Sequence, residues 1–473
     1  MNDVDADIMA EPQLVALLHS AGFEQSVASA WAAAAPHLSG NWDRDVAAFS
    51  RYWSLGADLL ARLPSKPARD RQAGDAGEAV KQQARAARYR FLGAHVGSLY
   101  ARLTGDRTKF LRIETLAPAA AALVPGLVPT EKIVAAESAL PQSAKDGHEI
   151  DQGILFNQIL ADEQSGRHLC HAMLLPRPES IEALARLERD GALDLGATKV
   201  TRRGKAVLLQ LENPRFLNAE DDNTLAALEI GVDVCTLDPA SGVAVLRGGH
   251  IPSGKYAGRR IFNAGINLTH LYHGRIPFLW YLRRDLGFVS KLTRGVAKTY
   301  VSPDEVSGDS TEKLWICAVE GFAIGGGCQI LLAGDYTIAE RSSYMTLPAR
   351  KEGIIPGMAN LRLARFVGDR IARQAVMYER RIDCDSPEGR LIVDELVEPG
   401  GMEAAIDHVV ARLTGSGLVS AASNRRAFRV ALEPFDLFRR YAAVYAREQA
   451  FCHFSPALIA NLETYWNAQN RRI

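Results

Sequence analysis

Three consecutive glycines, Gly325-Gly326-Gly327, follow an apolar, partly β-branched run from Trp315 to Val319 and precede helix formers from Gln329 to Ala333. That order predicts a buried strand, a turn of glycines and the start of a helix. Backbone N–H groups at such a start can come close to a ligand, and a developing oxyanion is what these donors stabilise best. The same triplet reads equally as a tight structural turn. A second apolar run, Arg260-Ile261-Phe262-Asn263-Ala264-Gly265-Ile266-Asn267-Leu268, also ends in small residues before a helix start and offers a further donor.

The elements that must hold these turns change character along the chain. The first third reads as helical, with Leu92, Val96, Leu99 and Leu103 on one stripe, and Thr130 before Glu131 marks a helix start. Pro64 to Gly77 and Ala117 to Pro129 read as connectors. From about Thr201 strands alternate with helices, the mark of an α/β core. These patterns divide the chain into a helical N-terminal domain, 1–196, and a second domain, 197–473. Between Pro277 and about Gly295 a helix is expected, with Leu282, Leu286 and Val289 on one face and Trp280, Arg284 and Phe288 on another. A helix apolar on two faces is enclosed by protein. Its guanidinium then needs an acidic or hydroxyl partner, or else snorkels past Trp280 to solvent.

Composition narrows the classes. The 473 residues carry 55 basic and 55 acidic side chains, so no electrostatic footprint points to nucleic acid or an anionic membrane. Six scattered cysteines without a C-x-x-C pair suit a reducing cytoplasm. The acidic start, Met1 to Asp5, lacks a signal-peptide core, and no apolar run approaches the roughly 20 residues of a membrane span. His168-Leu169-Cys170-His171 holds ligand-type residues but has no companion cluster at zinc spacing, and no 2-His-1-carboxylate set is recognisable. His250, His270 and His273 flank the Ile266 turn within reach of a ligand. Ser342-Ser343 has no recognisable base partner, no Gly-x-Ser-x-Gly elbow occurs, and Cys328 reads as a packing residue.

Taken in order, Ala206 to Pro214, Leu217 to Glu220, Arg260 to Leu268, Ala318 to Gln329 and Ile354 to Gly357 resemble the crotonase (enoyl-CoA hydratase/isomerase) superfamily over roughly residues 200 to 400. The resemblance implies an α/β fold, a ββα spiral core behind the all-helical N-terminal domain. It also implies that the N–H groups of Ile266 and Gly326 grip an acyl-CoA thioester oxygen. Two departures count against simple water addition. Where a hydratase carries its two catalytic glutamates, this chain has Gln329 and Ala349, and an amide cannot take a proton at neutral pH. Glu352, three residues beyond Ala349, reads as a structural or helix-end acid.

Further strings, among them Asn213 to Asp221, Tyr256 to Arg260, Arg283 to Gly287 and Lys351 to Gly357, resemble one branch of that superfamily. Its enzymes oxidise 3,5-dihydroxyphenylacetyl-CoA with dioxygen, without metal or cofactor, to the aryl glyoxylate that precedes dihydroxyphenylglycine. By this resemblance Glu220, Arg284 and Gln329 hold the ring hydroxyls, with Arg283 an adjacent alternative. Read from the residues alone, Glu220 serves equally as a helix-start acid and Gln329 as a packing amide. The resemblance further implies no metal and no cofactor, an acyl-CoA substrate with O2, and a homo-hexamer built from two trimers. Apolar and aromatic residues from Phe435 to Tyr465 are available for packing or for that assembly. A crotonase-fold hydrolase or decarboxylase, or a non-catalytic acyl-CoA-binding scaffold, are the alternatives.

Overall fold

The structure is a computed structural model, and it describes residues 9–472. Met1 to Asp5, read above as acidic and without a signal-peptide core, lie outside the described residues.

Packing divides the chain into two compact units. Among the described residues the first comprises 9–169, 273–278 and 442–456, and the second 170–272, 279–441 and 457–472. A single cut near Ala197 does not describe this division, because 170–196 fall in the second unit and two later segments, 273–278 and 442–456, join the first. The first unit is helical. Its longest helix, Arg71–Thr104, is capped by the Asp70 carboxylate, which accepts the Ala73 N–H at 2.8 Å, and it ends at the left-handed Gly105. Leu92 and Leu99 of the expected stripe are buried, while Val96 and Leu103 are half-buried. Phe49, Trp53 and Phe91 pack in one aromatic cluster with centroids 5.4 to 5.8 Å apart. Thr130 caps helix Glu131–Ser138, as its position before Glu131 predicts. Two expected connectors are shorter than predicted. Residues 71–77 belong to the Asp70-capped helix, and 117–123 belong to helix Ile113–Leu123, whose alanines outweigh the single Pro118.

The second unit is built on a seven-stranded sheet of β1 (Ala192–Asp194), β2 (Thr198–Arg203), β3 (Ala206–Leu211), β4 (Val243–Gly248), β5 (Leu314–Val319), β6 (Tyr336–Glu340) and β7 (Glu395–Val397), in that spatial order. β1 lies inside the span read as all-helical, so the sheet starts earlier than the composition change suggests. The first three strands are antiparallel neighbours, and β3 to β7 pair in parallel, with Val207 opposite Ala244 and Val245 opposite Ile316. Every residue of β4 and β5 is buried, which is why these segments read as continuous apolar runs rather than alternating ones. A second, three-stranded sheet joins Phe322–Ile324 in parallel to Tyr344–Thr346, which pairs with Ile382–Asp383.

The helix expected from Pro277 to Gly295 is two helices, Leu279–Leu286 and Phe288–Arg294, broken at Gly287. A Cβ on Gly287 would sit 2.4 Å from the Arg283 carbonyl oxygen, so the break needs glycine. Near the C-terminus Phe435, Phe438, Tyr445 and Leu458 are buried, whereas Leu437, Phe451 and Tyr465 stay 41 to 50% exposed. No helix among the described residues is long and apolar enough to cross a membrane.

Candidate active site

The glycine turn lies where sequence order puts it. β5 is followed by Phe322–Ile324, and helix Gly326–Leu331 starts directly after Gly325, whose φ of +50° and ψ of −109° suit glycine alone. Gly325 donates its N–H to Thr346 O at 2.8 Å, while the Gly326 N–H, in the first helical turn, has no backbone acceptor among the described residues.

The 263–267 segment runs between two neighbours. On one side Glu220 N donates to Gly265 O at 2.7 Å and Asn267 N donates to Glu220 O at 2.8 Å. On the other, Asn263 N donates to Phe322 O at 3.2 Å, and Asn263 O accepts from Ile324 N at 3.0 Å. In this parallel pairing the flanking groups of Ile266 bond to Glu220, so the Ile266 N–H itself points the other way. The Asn263 side chain braces the bend by accepting the Gly265 N–H at 2.6 Å. Gly265 sits so close to the glycine turn that a Cβ there would lie 2.8 Å from Ile324 O and 3.2 Å from Gly326 N. The two turns expected to supply paired amide donors are therefore packed against each other.

Behind Gly326 the three polar side chains singled out in the sequence come together. Arg284 donates to both oxygens of Glu220, at 2.7 and 3.0 Å, to Asp285 at 2.9 Å, to Gln329 Oε1 at 2.6 Å and to the Gly326 carbonyl at 2.9 Å. Glu220, Arg284, Asp285 and Gln329 are all buried. The arginine lies over Phe288 at 5.3 Å and Trp280 at 6.0 Å, on the face that their fourfold spacing predicts. Arg283 instead turns outward to Asp222 at 3.3 Å. Gln329 has no partner for its amide Nε2 among the described residues, so this donor is available to a hydroxyl. The guanidinium is engaged on all sides, and it fixes the Gly326 peptide as well as the glutamate.

Next to this network lies a cavity of about 470 Å³ whose walls include Ile266, Leu268, Phe322, Ile324 and Glu352. Glu220, Arg284 and Gln329 are not among its lining residues, so the trio faces the turn from behind it. Glu352, read in the sequence as a structural or helix-end acid, stands on this cavity wall. It closes the short helical turn Ala349–Glu352, is 8% exposed, and both carboxyl oxygens lie 3.7 Å from where a Cβ on Gly325 would be. Burial pushes its carboxyl up to about 7. The signal available in the sequence was its place just ahead of the Ile354-Ile355-Pro356-Gly357 string, in the segment where a family glutamate is expected.

The histidines serve other contacts. His270 Nδ1 lies 3.2 Å from Asp221, His250 is exposed, and His168 accepts or donates at 2.8 Å with Tyr100 while His171 bonds the Lys298 carbonyl at 2.8 Å. Among the described residues no group of three or more His, Cys, Asp or Glu is placed to hold a metal ion. Cys328, beside the turn, is buried and its thiol is pushed up to about 12 by that burial, as befits a packing residue.

Residues 202–443 match the enoyl-CoA hydratase/isomerase family. The chain is 44% identical over 394 residues to a (3,5-dihydroxyphenyl)acetyl-CoA 1,2-dioxygenase of Amycolatopsis orientalis, covering 83% of this chain and 89% of that protein. It is 26% identical over 244 residues to a carnitinyl-CoA dehydratase of Salmonella enteritidis, covering 51% of this chain and 84% of that one. A solved enoyl-CoA hydratase of Mycobacterium avium subsp. paratuberculosis aligns with a TM-score of 0.46 at 20% identity, over 57% of this chain and 98% of that one.

Proposed function

Because this chain belongs to the enoyl-CoA hydratase/isomerase, or crotonase, family, we propose that it is a dioxygenase that converts (3,5-dihydroxyphenyl)acetyl-CoA and O2 to the aryl glyoxylate and free coenzyme A. The observation that carries the reading is the 44% identity over 83% of the chain to a relative of that activity. Gln329 and Ala349, at the two positions where a hydratase keeps carboxylates, support it.

The chemistry follows from the turn. Loss of a proton from the carbon between ring and thioester leaves an enolate, whose oxygen takes up the free N–H groups of Ile266 and Gly326. Preorganised donors of this kind act strongly where water is excluded, and Ile266, Leu268, Phe322 and Ile324 supply apolar walls. The enolate passes one electron to O2, and the resulting radical and superoxide combine as a peroxide on that carbon. The distal peroxide oxygen attacks the thioester carbonyl and expels coenzyme A. Cleavage of the O–O bond with loss of the second proton leaves the proximal oxygen as the ketone and the distal one in the carboxylate. Of Glu220, Arg284 and Gln329, the amide of Gln329 is the donor offered to a ring hydroxyl, and Glu220 and Arg284, bonded to each other behind the turn, hold it in place.

An enolate that donates its own electron needs neither metal nor cofactor. Exhaustive treatment with a chelator is accordingly expected to leave oxygen uptake by the purified enzyme unchanged, measured on an oxygen electrode with stoichiometric release of coenzyme A. Abolished uptake that added iron or copper restored would overturn the mechanism. The six cysteines, scattered without a C-x-x-C pair, fit a reducing cytoplasm.

For the assembly we expect a hexamer of two trimers. Exposed Phe428, Leu437, Phe451 and Tyr465 on the C-terminal helices are the apolar surface available for it. Light scattering at assay concentration reads this directly, and a fully active monomer would rule it out.

A further inference from the structure

Among the groups around the cavity, one carboxylate has no structural duty. Glu352 shares the cavity wall with Ile266 and Ile324, and both its oxygens lie 3.7 Å from the Cβ position of Gly325, the residue before the turn's amide donor. Its carboxylate has neither a hydrogen bond nor an ion pair among the described residues. A buried carboxyl without a partner costs stability, so its placement on the cavity wall beside the glycine turn points to chemistry.

The charged groups on the surrounding elements are engaged elsewhere. Arg350 and Lys351 on its own turn pair with Glu379 at 2.8 and 2.6 Å, and Arg362 on the following helix pairs with Glu433 at 3.0 Å. Arg284 is taken by Glu220 and Asp285, and Glu463 on helix Pro456–Trp466 accepts from Tyr272 at 2.7 Å. Arg215 and Arg471, also on the cavity wall, lie over Phe216 at 5.2 Å and Trp466 at 3.9 Å.

We propose that Glu352 is the catalytic base that removes the first Cα proton of the bound arylacetyl thioester, an assignment that rests on the dioxygenase reading above. The proton passes to the carboxylate, and the C–H electron pair enters the enolate, whose oxygen is held by Ile266 and Gly326. When coenzyme A leaves as a thiolate it takes that proton back, so the carboxylate is restored for the next turnover. Burial tunes the group for this step, because a carboxyl raised to about 7 is a far stronger base than an exposed one, yet is half ionised at neutral pH. Activity should rise with pH through about 7. For stability the sign is the reverse: the unfolded chain ionises this carboxyl from its ordinary value while the folded one keeps it neutral up to about 7, so stability falls as pH rises from the ordinary carboxylate range to about 7 and levels off above it, and a neutral glutamine escapes that loss.

The test is Glu352→Gln. It is expected to melt no lower than the wild type above pH 7, to lower kcat at least a hundredfold with little change in KM, and to lose the ascending pH limb near 7. Under nitrogen in D2O, where the enolate can only be reprotonated, exchange of the Cα hydrogens of (3,5-dihydroxyphenyl)acetyl-CoA should slow by the same factor. A folded Glu352→Gln enzyme that exchanges at the wild-type rate overturns the assignment, even if oxygen uptake by the wild type upholds the dioxygenase. Conversely, wild-type exchange that depends on Glu352 but is never followed by oxygen uptake upholds the base and overturns the dioxygenase reading.

Discussion

Replacing Arg284 by alanine is expected to cost about 3–5 kcal/mol of stability and at least thirtyfold in kcat/KM. The stability loss comes from what the guanidinium leaves behind. Glu220 and Asp285 are 2% and 1% exposed, and both lose their charged partner at once. Breaking a buried pair is costly because an uncompensated carboxylate remains in low dielectric. The activity loss has two sources, since Arg284 also holds the Gly326 carbonyl at 2.9 Å and Gln329 at 2.6 Å. Ring recognition and the aim of the glycine turn should therefore fail together. Arg283→Ala is the control: its pair with Asp222 is partly exposed, worth under about 1 kcal/mol, and touches neither the turn nor the trio. Urea unfolding and steady-state kinetics on both variants decide the matter. Normal stability and kinetics for Arg284→Ala, with Arg283→Ala impaired, would reverse the assignment of the two arginines.

Gly326→Ala should lower kcat by about 10² to 10³. Its Cβ would lie 2.6 Å from Glu220 Oε1 and 3.1 Å from Arg284 Nη2. Neither atom is the free end of a flexible chain; each is buried and locked to the other, so the helix start must move instead. A shift of even about half an ångström would take the Gly326 N–H off the oxyanion position proposed above, where its contribution depends on being fixed in advance. Gly93→Ala is the matched control, because nothing lies within 4 Å of a Cβ at that helical position, and a stabilisation of up to about 1 kcal/mol is expected there. Oxygen uptake and thermal melting on both variants separate loss of the turn from loss of the fold. Wild-type kcat in a folded Gly326→Ala enzyme would remove the turn from the mechanism.

The sequence by itself determined the elements that make the glycine turn. An apolar strand, three glycines and a helix start are local features, set by side chains within a few residues of one another, and β5, the Gly325 turn and helix Gly326–Leu331 follow them directly. The fourfold spacing of Trp280, Arg284 and Phe288 likewise predicts a shared face, because helical periodicity is local. Only the tertiary structure decided what those faces meet. That Gly287 breaks the expected helix depends on how closely the Arg283 carbonyl and Glu229 approach it, and Glu229 comes from a separate, earlier helix. That Arg284 rather than Arg283 turns inward depends on Glu220 and Gln329, which come from two other segments. Glu352 shows the limit most clearly. In the sequence it is one acid at the end of a short turn, and its place ahead of the Ile354 to Gly357 string is the one local sign that sets it apart from a solvated acid. Its base strength comes from desolvation, which is a property of the whole surrounding wall, and that wall exists only when Ile266, Ile324 and Gly325 have been folded around it.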